Sequence, residues 1–100
     1  MDIGGCDIII EHNKTLQLNQ VFSIIKESWP EAVSEFDEIP NEMFVYKNPN
    51  TKTEWDKDCS NQDMIYVINH PGCLTMVINS HQSEEHNICG LVKEKLKLEH

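Results

Sequence analysis

Asp63-Met64-Ile65-Tyr66-Val67-Ile68-Asn69-His70-Pro71-Gly72-Cys73-Leu74-Thr75-Met76-Val77-Ile78-Asn79 decides the architecture. Two runs rich in β-branched and aromatic side chains flank His70-Pro71-Gly72, so the stretch predicts an antiparallel hairpin with proline and glycine at its tip. Along these strands Met64, Tyr66 and Ile68 point one way and Ile65 and Val67 the other, while Leu74, Met76 and Ile78 oppose Val77. Both faces are apolar, which makes the hairpin the centre of a sheet and raises the question of what covers each side.

Working outward, Asp7-Ile8-Ile9-Ile10-Glu11-His12 reads as a short buried strand. From Asn13, a candidate N-cap, the apolar residues Leu18, Val21, Phe22, Ile25 and Trp29 follow the stripe of an amphipathic helix. Pro30 interrupts it, because proline lacks the backbone donor that a continuous helix requires. Ser28 and Glu31 at capping-box spacing predict a second helical piece carrying Val33 and Phe36 and stopping before Ile39-Pro40. Glu42 to Lys47 is a further strand. Pro49 to Lys57 is open between a short helix hung from Asn48 and a polar edge strand, with the helix preferred. A closing helix capped within Ser80 to Ser83 carries Ile88, Leu91, Val92 and Leu96 on one face, with Glu84 and Glu85 early and Lys93, Lys95 and Lys97 late, as its dipole favours.

The order β-α-β-(short helix or edge strand)-β-β-α predicts an α+β fold: a mainly antiparallel sheet of about four strands with helices packed on one face. One hundred residues are enough for a single core. Residues 1–97 are expected to form one domain, and Leu98-Glu99-His100 resembles the start of a vector-encoded tag.

Charge narrows the function classes. The formal net charge is -9, with eight lysines and no arginine. Nucleic-acid binding relies on basic patches and arginine forks, so no nucleic-acid partner is expected. An anionic membrane surface is disfavoured by the same sign. The glycines are scattered and form no phosphate loop, so no nucleotide is expected either. There is neither an apolar run of membrane-spanning length nor a secretion-signal pattern at the N-terminus, and Cys6, Cys59, Cys73 and Cys89 are irregularly spaced; the expectation is a cytoplasmic protein with reduced thiols.

Three constellations carry candidate chemistry. The first is an apolar sheet face exposing Met64, Tyr66 and Met76, with Trp55 as an anchor among charges, which marks a binding surface for a protein partner or a homodimer. If the first helix and the segment after residue 48 wrap that face, nothing is left to bind. The second pairs His70-x-x-Cys73 with His86-x-x-Cys89. A turn and a helix each converge two side chains, as a tetrahedral zinc site requires, although Cys89 shares its helix face with core residues. The third is a thiol nucleophile at Cys89 with His81 or His86 as base. The leading expectation is a non-enzymatic, intracellular protein-binding or regulatory module; a small zinc-binding domain and a thiol-dependent enzyme are the alternatives.

Overall fold

A computed structural model describes residues 6–36, 41–57, 63–78 and 84–97, with the side chains of Cys6, Phe36, Trp55 and Asp56 outside that description. The chain runs β1 (Cys6–Glu11), α1 (Leu18–Ser28), β2 (Val33–Phe36), β3 (Glu42–Tyr46), α2 (Pro49–Lys57), β4 (Met64–His70), β5 (Cys73–Ile78) and α3 (Glu84–Leu96). The strands form one sheet in the order β1-β5-β4-β3-β2, and every neighbouring pair is antiparallel. The fold is therefore α+β, with five strands where about four were expected.

The β4–β5 hairpin lies at the centre of this order. Its tip is Pro71-Gly72, with Gly72 at φ 81°. Proline presets the second turn residue and only glycine enters the left-handed region at the third without cost, so this pair closes the turn tightly. The Gly72 carbonyl also accepts the His12 backbone N–H at 2.9 Å, tying the hairpin to the end of β1.

The first helix starts later than its apolar stripe suggests. Asn13 is not the cap: the Lys14 backbone N–H donates to His12 Nδ1, which turns the chain there, and the helix begins at Leu18 after Gln17. The Gln20 side chain accepts the Gln17 N–H at 2.8 Å, satisfying a donor that the helix itself leaves open. The far end behaves as Pro30 requires. Trp29 N–H donates to Ile25 O, and Ala32 N–H donates to Trp29 O to close a turn.

Beyond that turn the expected second helical piece is absent; Val33–Phe36 is a strand paired with β3 from Val33↔Tyr46 to Phe36↔Met43. The β-branched Val33 and aromatic Phe36 suit a ladder, and pairing across the sheet outweighs the local capping pattern of Ser28 and Glu31. Pro49–Lys57 adopts the helical alternative. Asn48 Oδ1 accepts both the Thr51 N–H at 2.8 Å and the Thr51 hydroxyl at 3.1 Å, with Pro49 in the first helical position. The expected cap of α3 lies within residues 79–83, outside the described residues, as do residues 98–100.

The core sits between the sheet and two helices. Val21, Ile24 and Ile25 of α1 and Ile88, Cys89 and Val92 of α3 pack in one cluster with Met43, Val45, Ile65, Val67, Leu74, Met76, Ile78 and Ile10. Burying such side chains at about 1.5–3 kcal/mol each supplies the main drive to fold. Lys95 Nζ reaches Glu27 at 3.0 Å across the two helices, both side chains about half exposed.

A candidate binding face on the sheet

Strand register assigns each side chain to a face. Ile8↔Met76, Val67↔Met76 and Met43↔Val67 form one row across four strands, and Ile10↔Leu74 another, all facing α1 and α3. The opposite face carries Ile9↔Thr75↔Ile68↔Glu42 and, beside it, Asp7↔Val77↔Tyr66↔Phe44↔Glu35. Neither α1 nor α3 packs there.

Helix α2 accounts for part of this second face. Lys52 Nζ lies 5.7 Å from the Tyr46 ring centroid and 3.7 Å from Glu35 Oε2, which sets α2 over the Tyr46 end of the face. Tyr46 and its register partner Met64 are buried there. Helices α1 and α3 thus pack on one face of the sheet, as expected, and α2 lies toward the other. Among the described residues, Ile9, Ile68, Val77, Tyr66 and Phe44 remain partly or largely accessible, and Ile9 stands out at 62% exposure.

The patch has internal order. Tyr66 stacks on Phe44, and its hydroxyl donates to Glu42 Oε1 at 2.7 Å, so the aromatic pair is held by both ring contact and a charge-assisted hydrogen bond. Its charge pattern is equally specific. The strands carry four carboxylates, Asp7, Glu11, Glu35 and Glu42, and no lysine. Register places all four on this face, Glu11 through its pairing with Cys73 and thence with His70. The apolar centre is thereby bounded by acids at β1 on one side and at β3 and β2 on the other.

The predicted site residues fare unequally. Tyr66 is on the patch. Met64 is on the same face but buried, and Met76 is fully buried on the opposite face against the helices, which corrects its reading as an exposed contact. The reason is that both hairpin faces are apolar, so alternation alone does not say which side the helices take. Trp55 lies on α2, with its side chain outside the described residues. Sequence reasoning missed Ile9, the most accessible of the apolar group, because its strand reads as buried throughout; its edge position is set by the strand order.

The four proposed zinc ligands are not brought together. His70 and Cys73 are register partners on the face away from the core, whereas Cys89 is fully buried on α3 behind the sheet and His86 is exposed on that helix. Among the described residues no three His, Cys, Asp or Glu side chains are grouped as a metal ion requires. Burial also removes Cys89 from reach of a substrate, and its suggested partner His81 lies outside the described residues.

A cleft of about 400 Å³ opens at the hairpin end, lined in part by Lys14, Asn41, Asn69 and His70. Several of its polar groups hold loops together: Asn69 Nδ2 donates to Leu16 O, Asn69 N–H to Asn41 O, and Lys14 Nζ to Leu96 O. No helix among the described residues is long and apolar enough to cross a membrane. No family model, curated protein or solved structure matches this chain.

Proposed function

We propose that this chain is a non-enzymatic protein-binding module that docks its partner on the acid-bounded apolar face of the sheet. The observation that carries this reading is the continuity of Ile9, Ile68, Val77, Tyr66 and Phe44 across four strands, on a face that α1 and α3 leave bare. Contiguous apolar surface rimmed by polar groups is the usual anatomy of a docking site. The irregular spacing of the four cysteines accords with reduced thiols and a cytoplasmic setting. A second copy of the chain is a poorer occupant than a different protein, because a two-fold contact on this face brings its carboxylates together.

The test is site-specific photocrosslinking with benzoylphenylalanine placed at Val77 and, as a control, at Lys93 on the far helix. The expected result is a discrete adduct from position 77, absent from position 93, that excess wild-type chain suppresses and the Ile9→Asp variant does not. An adduct of twice the chain mass makes the partner a second copy and overturns the preference for a different protein. Equal adducts at both positions, or none, overturn the docking face itself.

A further inference from the structure

We propose that the cleft at the hairpin end binds a small hydroxylated molecule bearing a phosphate group. This site does not rest on the docking face. Three segments far apart in sequence converge there: the loop before α1, Asn41 immediately before β3, and the β4–β5 tip. Hydrogen bonds pin them to one another. Asn69 Nδ2 donates to Leu16 O at 2.9 Å and the Asn69 N–H to Asn41 O at 2.7 Å, while the His12 N–H ties the start of the loop to Gly72. The walls are therefore set before any ligand arrives, which lowers the cost of binding. At about 400 Å³ the cleft has the volume of a small-molecule site.

The side chains that the bracing leaves over define the ligand. Asn13, Thr15, Asn41 and His70 line the cleft, and among the described residues their side chains make no hydrogen bond or ion pair. Lys14 adds an ammonium that donates once, to Leu96 O, and keeps two further N–H groups. Asn41 sits at φ 77°, in the left-handed region, and its backbone carbonyl carries the bond to Asn69, so its side-chain amide is spare. Such conformations gather where ligands are held. Charge selects the phosphate. The chain has 17 acidic residues, yet among the described residues no carboxylate lines this cleft, and Lys14 does. A phosphate offers three strong acceptor oxygens, enough for Lys14 and His70 together. The amides of Asn13 and Asn41 and the Thr15 hydroxyl both donate and accept, which suits the hydroxyl groups of an attached body better than a bare ion.

The test is an amide-resolved NMR titration of the full chain with glucose 6-phosphate, glucose and inorganic phosphate. Glucose 6-phosphate is expected to shift the amides of Asn13, Thr15, Asn41, His70 and Gly72. It is expected to bind about tenfold more tightly than either fragment, since each fragment makes only part of the contacts. Asn41→Gly is the decisive variant, because glycine keeps the φ 77° backbone and removes only the side chain. It is expected to weaken binding about fivefold with no loss of stability in urea, and Thr15→Ala on the exposed loop to do the same. Unchanged affinity in both variants, glucose binding as tightly as its phosphate, or shifts shared equally with Lys93 and Lys95 of α3 overturns the inference. Inorganic phosphate binding as tightly as the sugar phosphate also overturns it, by making the free ion the ligand. No shift with glucose 6-phosphate at millimolar concentration overturns the site and leaves the docking face to the crosslinking experiment.

Discussion

Phe44 and Tyr66 lie face to face across β3 and β4, with ring centroids 4.6 Å apart and planes 10° from parallel. They are direct register partners, and both are only partly buried. The stack therefore stiffens the middle of a surface that no long helix supports, a form of preorganisation that lowers the cost of binding. A double-mutant cycle on Phe44→Ala and Tyr66→Ala is expected to give a coupling of about 0.5–1.5 kcal/mol in urea unfolding. Tyr66→Phe, which keeps the rings and removes the donor to Glu42, is expected to cost about 0.5–1 kcal/mol. A coupling of zero would show that the rings merely fill space.

The two faces are separable by mutation. Met76 is fully buried beneath the helices and Ile9 is mostly exposed on the other side. Met76→Ala is expected to destabilise by about 2–5 kcal/mol through lost burial and the cavity left behind. Ile9→Ala is expected to change stability by no more than about 0.5 kcal/mol, although it removes the most accessible apolar side chain of the patch. Chemical denaturation of the two variants checks the assignment directly, and a large loss at Ile9 with little at Met76 would reverse the faces.

Much of this arrangement is legible in local sequence, and what is not depends on distant pairing. Pro71-Gly72 and the Leu18 to Ile25 stripe each act within a few residues, so the hairpin and α1 can be read directly, while Asn48 before Pro49 favours α2 without excluding an edge strand. Val33–Phe36 cannot: its four residues become a strand by pairing with β3, against a helical capping pattern next to Pro30. The patch is hidden for a similar reason. Asp7, Glu11, Glu35 and Glu42 come from three separated strands, and only register shows that they share a face. Ile9 sits between two other isoleucines, and nothing in that run marks it as an edge.

The thiols give a test of the displaced zinc and nucleophile readings. Cys89 is fully buried with Ile88 and Val92, whereas Cys73 is half-buried on the outer face, its sulfur 3.9 Å from the Thr75 hydroxyl. Alkylation of the native chain, mapped by mass spectrometry, is expected to label Cys73 and to spare Cys89 until the protein unfolds. A chelator is expected to leave the melting temperature unchanged, because the four candidate ligands stand on both sides of the sheet. Rapid labelling of native Cys89 would instead mean that the core opens around it.

Two glycines make opposite predictions for the same substitution. Gly72 has φ 81°, and a Cβ there would meet the His12 carbonyl oxygen at 3.6 Å, an ordinary contact. Space is therefore available and the penalty is conformational: Gly72→Ala is expected to cost about 1–2 kcal/mol, and Gly72→Asn less, since asparagine tolerates the left-handed region better. Gly90 lies within α3, where a Cβ would meet nothing within 4 Å. Gly90→Ala is expected to stabilise the chain by about 0.5–1 kcal/mol, because alanine loses less backbone entropy in a helix. Urea melts of the three variants check the order Gly90→Ala above wild type, then Gly72→Asn, then Gly72→Ala. If Gly72→Ala matches wild type, the hairpin tip does not need the left-handed turn that ties β4 and β5 to the end of β1.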